Sequence, residues 1–302
     1  MSLRITKASD PITVEQIIAT LYAAPGLGKT STGFTAEAPL LLDFDAGAYR
    51  AANRGDSVQV KSWADVAGIS ADDLKPYKTL VMDTAGRALD VLAADIIANE
   101  PKMGRGGALT LQGFGALKAK FAAYTKLIRS FGLDIVLLVH SDEQKSGDDV
   151  NERLDVQGSS KNEIYKVSDL MGRLKIESGK RVLNFSPTDA AFGKNPAGFD
   201  KIIVPDYTAE PHFLAGIIAQ TKATLNKLTE AQQKAAAELA DWQAKFSEAK
   251  DAEGFNKLIP ETAKASEAVR DNVKRLLVRV GKDNGFAFDA KTKKFTPVQQ
   301  AA

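Results

Sequence analysis

From Ala23 to Thr30 the chain reads Ala-Ala-Pro-Gly-Leu-Gly-Lys-Thr, small residues closing on a lysine and a hydroxyl. Such a turn lets backbone N–H groups wrap a phosphate, because few side chains stand in the way. The spacing is that of a phosphate-binding loop, a small residue, four residues, then Gly-Lys-Thr. Ala23 takes the first place instead of glycine, where a compact turn is the main requirement. Ala24, Pro25, Gly26, Leu27, Gly28, Lys29, Thr30 and Ser31 would line a triphosphate. Lys29 would neutralise its β- and γ-oxygens, and the Thr30 hydroxyl would ligate Mg²⁺. A helix starting near Gly28 would add its positive end. A chance Gly-rich turn is the rival reading, but this match sits between an apolar strand and a helix.

A cation bound there needs a carboxylate. Lys-Thr-Leu-Val-Met-Asp ends on Asp83, an acid at the tip of a buried strand, suited to holding magnesium-bound water. Its plainer alternative is a helix cap, with Asp83 or Thr84 starting a helix at 85. Hydrolysis also needs a carboxylate to polarise water. The AAA+ branch of such ATPases sets a Glu directly after the magnesium Asp, where this chain has Thr84. The other source is Asp-Phe-Asp-Ala-Gly, with Asp43 and Asp45 two apart and so on one strand face. Asp45 is preferred because it lies further toward the carboxyl end of the strand; a turn-forming role is its alternative.

The elements that would position these groups are short apolar strands alternating with helices. Strands are predicted over 16–22, 39–44, 57–62 (an edge), 78–83 and 134–140, with more near 172–177, 181–186 and 200–204. Helices are predicted over 85–99 and near 114–131. A polar stretch at 141–163 shows no periodicity. This pattern predicts an α/β fold: a mostly parallel sheet with helices on both faces. The composition changes near residue 213, giving a predicted core of 1–212 and a helical region of 213–302. In the latter, Ile218, Leu225, Leu239, Trp242 and Phe246 mark one seam of a long helix. Pro260 and Glu261 are read as opening a second helix, and 286–295 as a closing β-hairpin.

Bulk properties narrow the classes. The 302 residues hold no cysteine, which excludes disulfides and thiolate metal sites, and only two histidines. No apolar run reaches the ~18 residues of a membrane span. Met-Ser-Leu-Arg-Ile-Thr-Lys-Ala-Ser-Asp-Pro has no apolar secretory core, so the expectation is the cytoplasm, with no membrane partner. Residues 221–302 carry 15 Lys/Arg against 11 Asp/Glu, and the remainder 25 against 27. A mildly basic tail permits contact with polyanions; a solvated helical surface explains it equally.

With the loop, Asp45 and Asp83 in this order, residues 14–205 resemble the RecA-like ATPase core. Within it they resemble the compact RecA-like ATP-binding proteins of bacteriophages that assist single-strand annealing and recombination. The resemblance implies ATP and Mg²⁺ as cofactors, single-stranded DNA as partner, a homo-oligomer and residence in the host cytoplasm. It implies Asp45 as the catalytic carboxylate and His140, with Ser141, as a polar sensor at a strand end; a structural histidine is the alternative. Two DNA-binding loops are implied at 101–113 and 142–163, with Lys102 and Arg105 in the first and Gly158, Ser159, Ser160 and Lys161 in the second. The six acids of the second loop weigh against that role. Lys194, in Phe192-Gly193-Lys194-Asn195, matches a lysine that reaches a neighbouring subunit's γ-phosphate; an ordinary turn lysine is the alternative. Tyr49 is read as stacking on adenine or as packing at the sheet edge. The tail's apolar seam suits packing or self-association, and less directly a single-strand-binding protein. Two rivals stand: an AAA+-type loader or remodelling ATPase, marked by Arg270 or Arg275 reaching the nucleotide, and a nucleotide-dependent DNA-binding module with negligible turnover.

Overall fold

The computed structural model describes residues 13–146, 149–156, 160–290 and 292–298. The chain divides into two compact units, Val14–Leu225 and the residues from Asn226 on.

In the first unit, β1 (Ile18–Ala23) leads through the loop into the short helix α1 (Lys29–Gly33). Strands β2 (Pro39–Asp43) and β3 (Ser57–Gln59) follow, then the single-turn helices α2 (Ala64–Ala67) and α3 (Ala71–Leu74). Next come β4 (Thr79–Asp83), α4 (Ala85–Asn99), a tiny hairpin of β5 (Gly104–Arg105) and β6 (Ala108–Leu109), and α5 (Leu111–Ser130). The unit continues with β7 (Asp134–Ser146), β8 (Asp149–Leu154), α6 (Ser160–Val167), β9 (Leu170–Glu177), β10 (Lys180–Asn184) and β11 (Ile202–Ile203).

The sheet order is β11-β10-β9-β1-β7-β4-β2-β3, with β8 paired to the outer part of β7. The six strands from β9 to β3 run parallel, while β8, β10 and β11 are antiparallel additions. Side chains alternate between two layers, as the two-residue strand period requires. Along β7, Ile135, Leu137 and Val139 join one buried cluster with Leu89, Leu92 and Phe121 from α4 and α5. Val136 and Leu138 join the other, with Phe34, Leu214, Ile217 and Ile218. Burial on both faces explains why these strands are continuous apolar runs in the sequence. Strand β7 lies between β1 and β4, so their carboxyl ends meet: Ala23 pairs with His140, and Asp43 with Asp83.

Three predicted boundaries are corrected. The strand predicted to end at His140 runs on to Ser146 and pairs with β8, and α6 starts at Ser160, so the described part of the polar stretch is mainly a β-arm and a helix rather than a loop. The long helix is present as α7 (Phe213–Ser247), but the division between units falls within it, after Leu225, rather than at 212. Its first turns carry Leu214, Ile217 and Ile218, which the sheet buries. Pro260 does not open a helix; it sits near the end of α8 (Ala252–Glu261), ahead of α9 (Arg270–Asp283).

In the second unit, Phe246, Phe255, Val269, Val273, Leu277 and Val280 bury one another around Phe295. Phe295 belongs to the predicted closing hairpin, β12 (Phe286–Asp289) and β13 (Lys294–Pro297). Its ring lies where Gly281 would carry a Cβ, so glycine is needed there. Among the described residues, no helix is long and apolar enough to cross a membrane.

Candidate functional site

Of the predicted loop residues, Pro25, Gly26, Gly28, Lys29, Thr30 and Ser31, but not Ala24 or Leu27, line one cleft of about 540 Å³ with Asp45, Asp83 and His140 at the carboxyl ends of the parallel strands. The loop is built on two glycines in the left-handed region, Gly26 (φ 80°) and Gly28 (φ 89°), a conformation that favours glycine. Leu27 turns its side chain to the core while Ala24, Pro25 and Gly26 stay exposed. Gly28 has a second constraint. A Cβ there would lie 2.6 Å from the Tyr207 hydroxyl and 2.7 Å from Arg181 Nη1. Tyr207 donates to the Gly28 carbonyl (3.2 Å) and receives a bond from Arg181 (2.8 Å), tying the loop to β10.

Lys29 is buried at the centre of the cleft. Its ammonium donates to the carbonyls of Ala23 (2.9 Å) and Ala24 (3.1 Å) and to His140 Nδ1 (3.1 Å). Burial lowers its pKa to about 8, against the pull of Asp83 and Asp45. The other ring nitrogen of His140, Nε2, faces Asp45 Oδ2 at 3.3 Å. Lys29, His140 and Asp45 thus form one chain of polar contacts.

Asp45 also meets Arg87 Nε at 3.5 Å. Burial pushes the Asp45 carboxyl up, but bonds from His140 and Thr84 with the charges of His140 and Arg87 hold it below the ordinary value. It therefore stays ionised, as an acceptor of a proton from water must. Asp43 has a different task. Its two oxygens accept from the amides of Gly47 and Ala48, both at 2.9 Å, so it fixes the turn that presents Asp45. Asp45 itself lies beyond the end of β2, so the two acids do not share a strand face. Asp45, beyond the carboxyl end of β2, lines the cleft, and Asp43 does not.

Asp83 ends β4 and accepts from the Thr30 hydroxyl at 2.6 Å. Burial raises its pKa despite that bond, and the nearby Asp45 and Asp43 raise it further. A hydroxyl and a carboxylate in contact at the edge of the cleft fit a hard divalent cation whose other ligands are phosphate and water. Among the described residues, no cluster of three or more His, Asp or Glu forms a self-sufficient metal cage. Thr84 caps α4 by accepting from the Arg87 amide (3.5 Å), so capping falls to Thr84 and leaves Asp83 for the cleft.

Arg50 and Arg87 line the cleft but were missed in the sequence. Arg87 had a faint signal, being three residues past the Thr84 cap on the helix leaving Asp83. Tyr49 is 70% exposed and outside the cleft lining, with the Arg50 guanidinium 5.3 Å from its ring centre. It is therefore not packed at the sheet edge.

Elsewhere the placements are mixed. Lys194, expected to reach another subunit, donates instead to the Ser168 carbonyl (2.7 Å) and lies over the Tyr165 ring. That fits the ordinary structural alternative, because its ammonium is held within its own chain. Lys102 and Arg105 are exposed beside the hairpin whose turn is Gly106-Gly107 with φ of 60° and 82°. The expected loop is thus a tight two-residue hairpin. Gly158 and Ser159 lie outside the described residues. Ser160 is buried at the start of α6, which contradicts its reading as a DNA contact; Lys161 follows it in the helix. Arg270 donates to the Ala265 carbonyl (3.2 Å), and Arg275 lines a groove within the second unit.

A protein-family profile described as an AAA domain matches residues 15–197, which span the cleft and every strand that shapes it except β11. No curated protein matches the chain. Among solved structures, a prototypical ATPase from the type III secretion system of pathogenic bacteria is similar at 15% identity, with a TM-score of 0.37. The match covers 76% of this chain and 63% of that one, so the chain spans less than two thirds of its length.

Proposed function

We propose that this chain, which belongs to the AAA-domain family of P-loop ATPases, uses ATP to bind and release single-stranded DNA in annealing or strand pairing of the bacteriophage recombination type. The observation that carries the ATPase part is the line Lys29–His140–Asp45 set beside the Thr30–Asp83 pair. When bound, magnesium neutralises charge on the phosphate oxygens. Lys29 exchanges the Ala23 and Ala24 carbonyls for phosphate oxygens. Asp45 takes the proton of a water whose oxygen attacks the γ-phosphorus, and ADP and phosphate leave. His140 touches both Lys29 and Asp45, so a move of either shifts the base of the β7–β8 arm.

The DNA part rests on the resemblance and on Lys102 and Arg105 exposed at the β5–β6 hairpin. ATP must favour the DNA-competent state by about 1.4 kcal/mol for a tenfold gain in affinity. Anisotropy of a labelled oligothymidylate with and without ATP and Mg²⁺ tests this. Tighter binding with ATP is expected; equal affinity at matched salt contradicts it.

The family description favours a second reading, a loader or remodelling ATPase. The absence of a Glu after Asp83 and the preparation of Asp45 support the first. If Arg270→Ala or Arg275→Ala abolished turnover while DNA left turnover unchanged, the second reading would hold.

A further inference from the structure

Beside the core of the residues from Asn226 on, not all of the space is filled, although Leu276 belongs to that core and Leu239 packs against it. Helices α7 and α9 border a groove of about 470 Å³ there. Its floor is apolar, with Leu239 and Leu276, and it is hollow because Ala236 and Ala240 are short. Arg275 and Arg279 stand at its rim, four residues apart and so one above the other on α9.

Some cations of this unit are held by acids within it. Lys245 and Lys264 pair with Glu261, Lys257 with Glu253, and Lys274 with Asp271. Among the described residues neither Arg275 nor Arg279 has an acidic partner within ion-pair distance, and no acid lines the groove. A guanidinium is suited to bidentate pairing with carboxylate, and arginine is among the residues enriched at binding hot spots.

We propose that this groove binds an acidic, amphipathic segment of a partner protein. Apolar side chains of the segment fill the space over Ala236 and Ala240, and carboxylates about one helical turn apart pair with Arg275 and Arg279. The floor decides for a peptide over a nucleic acid backbone. Phosphates and sugars bring nothing apolar to bury on Leu239 and Leu276, and the groove has no aromatic ring on which a base could stack. A second copy docking groove to groove would set its arginines against each other, at an electrostatic cost.

The test uses the whole chain and three fluorescein-labelled synthetic peptides of about fourteen residues, enough for about four helical turns. One carries Leu at helical spacing flanked by Glu, the second has Lys for Glu, and the third keeps the Glu but replaces Leu by Ser. The expected result is binding of the Leu/Glu peptide alone, at least about tenfold weaker in Arg275→Glu/Arg279→Glu. Ala240→Phe, which fills the groove and keeps both arginines, should weaken it similarly, while Lys264→Glu should not. Melting curves establish that each variant is folded, and Ala240→Phe carries the test if the double reversal is not. The proposal is overturned if the Leu/Glu peptide does not bind, if the Leu-free peptide binds as well, or if the folded groove variants bind normally. Loss of oligothymidylate binding in the double reversal with peptide binding unchanged assigns the face to nucleic acid and also overturns it. So does loss of self-association in a chain that never bound the peptide.

Discussion

The two ends of the proposed ATP-to-DNA coupling are built very differently. At the nucleotide end, several elements converge on one cleft, and polar side chains meet in pairs: Lys29 with His140, His140 with Asp45, Thr30 with Asp83. At the DNA end, Lys102 and Arg105 stand exposed on a two-residue hairpin, while Ser160 has withdrawn into a helix start. A small triphosphate needs fixed atoms at fixed distances, so its site is preorganised. A flexible polyanion can be held by a few loosely placed cations. Substitutions should therefore act abruptly at one end and gradually at the other.

The largest effect is expected from Lys29→Ala, which removes the buried cation facing the phosphates. Turnover should fall about 10³-fold in a phosphate-release assay, in the range seen when a preorganised charge-stabilising donor is removed. Retained turnover would place the chemistry elsewhere.

Next, Asp45→Asn should lower kcat about 10²-fold, the typical loss of a general base, with the melting temperature unchanged. Asp43→Ala sharpens this contrast. It leaves the Gly47 and Ala48 amides without their acceptor and should cost about 2 kcal/mol of stability by denaturant titration. If Asp43→Asn stopped turnover and Asp45→Asn did not, the two roles would be reversed.

Gly28→Ala should weaken ATP binding about tenfold, because the left-handed backbone there costs a side chain about 1–2 kcal/mol. Tyr207→Phe should relieve part of that loss, since the Tyr207 hydroxyl is the nearest atom to the added methyl.

The smallest effects belong to the hairpin. Lys102→Ala and Arg105→Ala should each weaken oligothymidylate binding a few fold and lower the salt slope by about one. A hundredfold loss from either would mean a preorganised DNA site and would erase the contrast.

The same difference governs what the sequence discloses. Strands β1, β2 and β4 and helix α4 were legible because both faces of the strands are buried and Thr84 caps the helix. The loop was legible because phosphate chemistry demands local spacing. The arm was not. Asp142-Glu143-Gln144-Lys145-Ser146 has no apolar alternation to betray a strand, although the backbone pairs it with β8. Arg50, Arg87 and the Arg181–Tyr207 tie were hidden because they reach the loop only through tertiary contact. The shared strand face expected for Asp43 and Asp45 was misleading, since the chain has already left β2 at Asp45.

Calorimetric titration of ATP with Mg²⁺ into the wild type and Lys29→Ala tests the central claim, that main-chain amides and Lys29 in the turn 23–30 hold the triphosphate. The account predicts one saturable site per chain in the wild type and its loss or severe weakening in the variant. No heat from the wild type at millimolar ATP, or equal affinity in the two proteins, would contradict it.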